Sequence, residues 1–407
     1  MNEPVSVQEL GGVPSSLRVS IVTETYPPEI NGVAMTLSRL VDGLCLRGHR
    51  VQLVRPKQHS LDAPARSYGF EEILKPGIPI PGYAGLKFGL PAKPALRRLW
   101  EMNRPDVVHV ATEGPLGWSA LAAARSLRIA ISTSFHTNFH SYSKHYGAAL
   151  LQKPIVAYLR RFHNRAQGTM VPTENLRCEL ERLGFRNVYV VARGVDTKLF
   201  SPLRRSEELR RSWGAGEHTL VALYVGRLAP EKSLPVLIES YAAMRRRNSA
   251  VKLVLVGDGP ERVHLARRFP ELIMAGPRTG IDLATHYASA DAFLFPSLTE
   301  TFGNVTLEAM ASGLAVVAYD YAAAKLYLEH GQSGLLAPLG DTAAFVELAA
   351  ALANEPMLAR RLRAQARKTT EGADWETVLD DFEKGLYRIL QQTNSNYFLN
   401  NQSVLSN

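Results

Sequence analysis

Short, continuous apolar runs rich in β-branched residues alternate along this chain with longer stretches in which apolar positions recur every three or four residues. In the first half the short runs are Leu17–Thr23, Val51–Val54, Val107–Val110, Ile129–Ser134, Thr169–Val171 and Val188–Val191. Helical spacing falls between them at Val33–Arg47, Leu116–Arg125, Ile155–Arg165 and Glu174–Leu183, the last with Thr173 as its N-cap. Short β-rich runs alternating with helical stretches predict parallel sheets built from β-α-β units. The alternation halts at Ala192-Arg193-Gly194-Val195-Asp196 and Phe200-Ser201-Pro202, with a charged stretch to Glu217, which predicts a linker at about residues 193–203. It restarts with Leu220–Val225, Lys252–Val256, Leu272–Met274, Ala292–Phe295 and Ala315–Ala318, followed by helical patterns at Ala343–Asn354, Met357–Arg367 and Trp375–Gln391. The expectation is an α/β protein of two Rossmann-like, doubly wound domains, 1–195 and 196–374. Residues 392–407 are polar, Asn-rich and aperiodic, and are expected to be disordered.

Composition agrees with a soluble globular protein: 407 residues, 46% apolar and 21% charged, which excludes fibrous, collagen-like and disordered classes. No apolar run reaches the ~18 residues a spanning helix needs, and Met1 to Arg18 lacks the basic start and apolar core of a secretory leader. The expected location is cytoplasmic, peripheral to the inner face of a membrane. Cys45 and Cys178 are too few for a disulfide framework and too far apart for a metal motif. Charge changes the picture more. Residues 1–195 carry 24 Lys and Arg against 14 Asp and Glu, while residues 196–407 carry 23 against 24, so the basic excess lies in the first half. Without aromatic interleaving or a nucleic-acid motif, that excess points to an anionic substrate or membrane surface and not to nucleic acid.

Open α/β sheets bind ligands at the carboxyl ends of their strands, so the loops there hold the candidate chemistry. Neither first strand–helix turn carries Gly-x-Gly-x-x-Gly: one reads Thr23-Glu24-Thr25-Tyr26-Pro27-Pro28-Glu29-Ile30-Asn31-Gly32-Val33, and Gly257-Asp258-Gly259-Pro260 is a short turn. A nicotinamide oxidoreductase or epimerase loses ground on this point. After the run ending at Phe295, the segment Ser297 to Gly313 places Glu300 in a loop, Gly303 where backbone approaches a ligand, and Glu308 in the first turn of a helix. The amides and dipole of that helix start favour an anion and an ionised Glu308 that accepts from hydroxyl groups. After the run ending at Val225, Gly226-Arg227-Leu228-Ala229-Pro230-Glu231-Lys232 brings a forked donor and a point charge to the same edge, suited to a diphosphate. The chain has no Asp-x-Asp and no ligand spacing among its cysteines and histidines, so no metal is expected and no cofactor beyond the substrate.

Carboxylates eight residues apart, joined to Gly-Arg-x4-Lys in one domain, resemble the retaining GT-B glycosyltransferases of family 4. The resemblance runs over roughly residues 18–391 and includes Pro27-Pro28-x2-Asn31-Gly32-Val33, Ser134-Phe135-His136-Thr137 and Ala192-Arg193-Gly194-Val195-Asp196. These details look most like the branch holding GDP-mannose-dependent α-mannosyltransferases and sulfoquinovosyl-diacylglycerol synthases. The resemblance implies a GT-B fold whose two domains face each other across a cleft, an N-terminal acceptor domain and a C-terminal sugar-nucleotide domain. It also implies a final helix, about 375–391, that returns to the first domain. The implied catalytic residues are His136, Arg227, Lys232 and Glu300. Arg227 and Lys232 would neutralise the nucleoside diphosphate, Glu300 would hold the transferred sugar, and His136 would face that sugar. Gly32, Phe302, Gly303, Asn304, Val305 and Glu308 would bind the donor, Glu308 through the ribose hydroxyls. His140, Lys144 and Tyr146 are the candidate acceptor contacts, His140 and His145 competing with His136 for any histidine role. The implied reaction moves a hexose, mannose first, from a sugar nucleotide to a lipid or glycan hydroxyl, with a UDP-sugar enzyme of diacylglycerol glycolipids as the alternative. A non-catalytic sugar-nucleotide binder is the rival of another class. The stretch Ile155–Arg165, where bases and apolar residues share one helix, is the expected membrane contact.

Overall fold

The computed structural model describes residues 15–29, 31–79, 87–136 and 149–405, which divide into two compact units. The first comprises the described residues up to His136, Ile155–Val191 and the chain from Leu379; the second comprises the described residues up to Pro154 that follow His136, and Ala192–Val378. In the first unit the strands are β1 (Arg18–Val22), β2 (Arg50–Pro56), β3 (Arg66–Ser67), β4 (Phe70–Lys75), β5 (Gly77–Pro79), β6 (Lys87–Gly89), β7 (Val107–Val110), β8 (Ala130–Ser134), β9 (Gly168–Val171) and β10 (Val188–Val190). Eight of these form a sheet in the order β10-β9-β8-β7-β1-β2-β4-β3, parallel except where β3 meets β4. β5 and β6 pair as a separate antiparallel ribbon. The second unit has β11 (Val221–Val225), β12 (Lys252–Val256), β13 (Ile273–Gly276), β14 (Ala292–Phe295), β15 (Ala315–Tyr319) and β16 (Leu335–Ala337) in one parallel sheet, ordered β13-β12-β11-β14-β15-β16.

Both sheets owe their register to strands that bury both faces: β7, β8, β9, β11, β14 and β15 have every residue buried. Each order reverses direction beside its first strand, between β1 and β7 in one sheet and between β11 and β14 in the other. Those switch points are where the crossover helices part and leave a crevice at the strand carboxyl ends. At the opposite end of the second sheet, Asp291 is bound by Arg210 (2.9 Å), Arg363 (3.1 Å) and Arg205 (3.2 Å), so that edge is closed by its own charges.

Two expectations need correcting, and a third is placed. The segment at 193–203 is not a loose linker: from Ala192 it is part of the second unit, Val195 and Phe200 join that unit's core, and the Val195 amide bonds the Ala373 carbonyl at 2.9 Å. The last helix does not stop near 391 but runs Trp375–Leu405. Once a helix is nucleated, each added residue gains a hydrogen bond at little cost, so even an Asn-rich stretch can extend it. The membrane contact expected at Ile155–Arg165 lies in the helix Ala149–His163, where Leu159 and Phe162 face the core and Arg160 and Arg161 face solvent. On the same helix Tyr158 is exposed and Ile155 and Val156 are partly exposed, so bases and apolar residues share its outer side.

From Leu379 onward the final helix packs on the first unit where glycines make room. A Cβ on Gly43 would lie 2.3 Å from Leu379 Cδ1, and one on Gly385 2.7 Å from Met170 Cε. Phe382 stands edge-on to His109 at 4.9 Å, and that ring is bonded by Ser132 and Ser134 at 2.9 Å each. Full burial pushes His109 down to about 3, so it stays neutral and serves the interior. Among the described residues no helix is long and apolar enough to cross a membrane.

Candidate active site

The turn after β11 is shaped by two glycine segments lying on each other. Gly226 donates to the Val256 carbonyl at 3.0 Å, and Leu228 donates to the Asp258 carbonyl at 2.9 Å. Gly257 has φ 138°, and a Cβ there would stand 1.9 Å from the Gly226 carbonyl oxygen, a separation that only glycine tolerates. The short Gly257-Asp258-Gly259 turn therefore supports the motif turn. Tyr224, fully buried, donates from its hydroxyl to the Arg227 carbonyl at 3.0 Å. Arg227 is thereby held at the strand end with its guanidinium half exposed and 3.4 Å from Glu231.

Lys232 follows in a short 3-10 turn, Pro230–Lys232, and its ammonium pairs with the Glu300 carboxylate. Glu300 also accepts from Ser297 Oγ at 2.7 Å, while its own carbonyl accepts from Tyr321 at 2.8 Å. The structure thus joins, across the β11–β14 switch point, the cation and carboxylate predicted to act on diphosphate and sugar. Each neutralises the other, which keeps two largely buried charges satisfied. Downstream, Gly303 adopts φ 88° and ψ 62° and forms the N-cap of the helix Asn304–Ala311, so that Asn304 and Val305 open the helix with amides unclaimed by a capping side chain. Phe302 is buried at 3% exposure, and its carbonyl binds the Ala323 amide at 2.8 Å, anchoring the loop.

Glu308 departs from expectation in two ways. Because Gly303 starts the helix at Asn304, Glu308 is the fifth helical residue, outside the first turn. Burial, not the helix dipole, dominates its ionisation and pushes its carboxyl up to about 7, opposed by a 2.9 Å hydrogen bond donated by the Tyr287 hydroxyl. The carboxylate is therefore not held ionised by its position alone.

In the first unit, Gly32 is the first residue of the helix Gly32–Leu46, and Asn31 caps it by accepting from Val33 and Ala34 amides at 3.1 and 2.9 Å. Asn31 in turn donates to Thr25 Oγ1 at 2.7 Å, and Gln58 donates to Glu29 at 2.5 Å, so this loop is braced from within. His136 follows β8 directly after the fully buried Phe135, half-buried at the strand end. His140, Lys144 and Tyr146 lie outside the described residues.

The sequence reading passed over two residues. Glu24 sits at the β1–β7 switch point, buried, with its carboxylate accepting from the Leu116 amide at 3.0 Å and pushed up to about 7 by desolvation. Tyr287 lies 21 residues from the carboxylate it binds. Glu24 stands in the quoted first loop and could have been flagged by its place after a strand; nothing in the one-dimensional pattern links Tyr287 to Glu308. Among the described residues no three His, Cys, Asp or Glu side chains are grouped to hold a metal ion.

Comparison with known proteins identifies the family. Residues 30–199 match Glycosyltransferase Family 4, and residues 219–355 match Glycosyl transferases group 1. The chain is 34% identical over 326 residues to a GDP-mannose-dependent alpha-mannosyltransferase of Corynebacterium glutamicum, covering 80% of this chain and 78% of that protein. It is 33% identical to a protein of the same name from Mycobacterium tuberculosis, covering 90% and 95%. To the sulfoquinovosyl transferase of Arabidopsis thaliana it is 30% identical, covering 77% and 63%. Among solved structures, sucrose-phosphate synthase from Thermosynechococcus elongatus superposes with a TM-score of 0.75 at 19% identity, covering 92% of this chain and 99% of that one, which shows the GT-B fold. With its motif residues gathered at the switch point of the second sheet, the chain belongs to glycosyltransferase family 4 and is a hexosyltransferase.

Proposed function

We propose that this protein transfers mannose from GDP-mannose, with retention of configuration, to a hydroxyl group of a membrane glycolipid or glycan. The observation that carries this reading is 33–34% identity, over most of both chains, to GDP-mannose-dependent α-mannosyltransferases, in a unit that brings Lys232 and Glu300 into contact. In this reading Arg227 and Lys232 offset the negative charge that grows on the leaving diphosphate, assisted by the amides at Asn304 and Val305. Donor entry draws Lys232 from Glu300, freeing the carboxylate for the hydroxyls of the transferred sugar. Glu308 accepts from the ribose hydroxyls, and His136 faces the sugar from the acceptor side, with His140, Lys144 and Tyr146 as acceptor contacts. Purified protein offered a panel of radiolabelled sugar nucleotides with a membrane-lipid extract should label lipid from GDP-mannose alone.

A second reading is favoured by likeness to the Arabidopsis sulfoquinovosyl transferase and, at 28% identity, to the alpha-monoglucosyldiacylglycerol synthase of Streptococcus pneumoniae. It would appear in the same panel as transfer from a UDP-sugar to diacylglycerol. Because Arg227 and Lys232 can carry the diphosphate charge, turnover should persist in EDTA; strict dependence on magnesium or manganese would contradict this. The basic excess of residues 1–195 supports peripheral binding to anionic membrane. Leu159 and Phe162 are buried, so any apolar contribution from that helix falls to Ile155, Val156 and Tyr158 beside the exposed Arg160 and Arg161. Liposome flotation should therefore rise with phosphatidylglycerol, fall with salt and weaken in Arg160→Glu/Arg161→Glu; equal recovery on neutral vesicles would point to a soluble acceptor.

A further inference from the structure

Tyr287 is fully buried in the helix Gly280–Ser289, its ring edge-on to Phe200 at 5.6 Å and tilted on Phe293 at 5.9 Å. A phenylalanine would satisfy all of that packing. The hydroxyl is the costly part, since burying it demands a partner, and its closest acceptor is Glu308 Oε2 at 2.9 Å, with the Val305 carbonyl farther away at 3.5 Å. A tyrosine has only two side-chain torsions, and here aromatic rings restrict both, so its oxygen is a fixed point against which a glutamate's three torsions are pinned. One oxygen of Glu308 is thereby tied to the protein interior, which fixes the plane of the carboxylate and leaves the other oxygen with acceptor capacity.

We propose that Tyr287 is a positioning residue for the nucleotide's ribose: its hydroxyl holds one oxygen of Glu308 so that the other meets the ribose hydroxyls. The proposal rests on the reading of Glu308 as the ribose acceptor. It assigns to a residue outside the motif the task of making that carboxylate directional. Donation from Tyr287 also favours the ionised form of Glu308, opposing burial. The other titratable groups on elements packed around this helix are placed elsewhere. Arg367 and Arg363 bind the Ala311 and Gly313 carbonyls at its far end, Lys325 is exposed, and Tyr224 acts on Tyr287 rather than on Glu308.

The test is a cycle between protein and ligand, measured by calorimetry with GDP, 2′-deoxy-GDP and 3′-deoxy-GDP on wild type, Tyr287→Phe and Glu308→Gln. Wild type should bind GDP on the order of tenfold more tightly than at least one deoxy analogue, the worth of a hydrogen bond to a charged group. Glu308→Gln should lose most of that preference. Tyr287→Phe should lose a large part of it too, weakening GDP more than the deoxy analogues and raising KM for the donor with little change in kcat. A merely structural tyrosine would weaken all three ligands equally. If Glu308→Gln keeps the full preference, the ribose reading of Glu308 fails; if only Tyr287→Phe keeps it, the proposal fails and that reading stands. Should Tyr287→Phe not fold, 3-fluorotyrosine at 287 gives a stronger donor with the same shape. It should lower the pH at which GDP affinity levels off, and an unchanged profile would overturn the proposal.

Discussion

Glu24 in the first unit and Glu308 in the second make an instructive pair. Each stands near the switch point of a parallel sheet, and in each desolvation lifts the carboxyl to about 7. Their partners differ. Glu24 is held by backbone amides, those of Leu116 and Gly89, and its oxygens occupy the space where a Cβ on Gly114 would be, only 1.8 Å from Oε2. It supplies from a distant loop the cap that Gly114, without a side chain, cannot give the helix Pro115–Ser126. Glu308 has, among the described residues, one tyrosine hydroxyl. A carboxylate consumed by main-chain donors is part of the frame, whereas one with a single side-chain partner keeps acceptor capacity for a ligand. The size of a pKa shift does not tell these cases apart; the identity of the partners does.

The largest effect that can break this contrast is catalytic. Glu308→Gln and Lys232→Ala should each remove most turnover without unfolding the chain, since losing a charged contact to the donor costs about 2–4 kcal/mol, roughly 30- to 1000-fold in kcat/KM. Glu24→Gln should retain most activity. Near-wild-type rates in either donor-site variant would erase the distinction.

Stability is the next measure. A glutamate whose folded pKa lies above its unfolded value of 4.5 favours the folded state least when ionised, so its contribution falls as pH rises from about 4.5 to about 7 and is constant above. For Glu24 that swing is at most about 3 kcal/mol by the usual conversion of 1.36 kcal/mol per unit. Denaturant midpoints should therefore show Glu24→Gln gaining on wild type across that window. A constant difference from pH 4 to 8 would mean that Glu24 ionises as easily folded as unfolded.

Donor binding titrates the other member of the pair. If the ribose bonds to ionised Glu308, GDP affinity should rise up to tenfold per pH unit below about 7 and level off above it, because binding expels the proton that the free site holds. Glu308→Gln should flatten that profile, and Glu24→Gln should leave it in place. The phosphates themselves ionise near pH 6, so the comparison between variants, not the raw curve, decides.

The smallest expected effect is that of Ser297→Ala, which deletes the 2.7 Å donor to Glu300 while leaving the Lys232 pair. A net hydrogen bond of about 1 kcal/mol predicts roughly a fivefold fall in kcat/KM. No measurable change would indicate that Lys232 alone orients Glu300.

By itself the sequence determined the two-sheet α/β architecture, because short β-rich runs alternate with helical stretches, and it singled out Arg227, Lys232, Glu300 and Glu308 as candidates through their types and spacing. The ribbon of β5 and β6, the edge strand β3 and its neighbour β4 escaped it, since short or half-exposed strands carry little periodic signal. The tertiary structure alone decided which groups meet: Lys232 with Glu300 across 68 residues, Tyr287 with Glu308 across 21, and Glu24 with an amide 92 residues away. It also decided that Glu308 is not simply ionised and that Leu159 and Phe162 turn inward. Local pattern records which way a side chain leans on its own element. Desolvation and hydrogen-bond partnership depend on what other elements bring into contact, and that is set only when the sheets and helices pack.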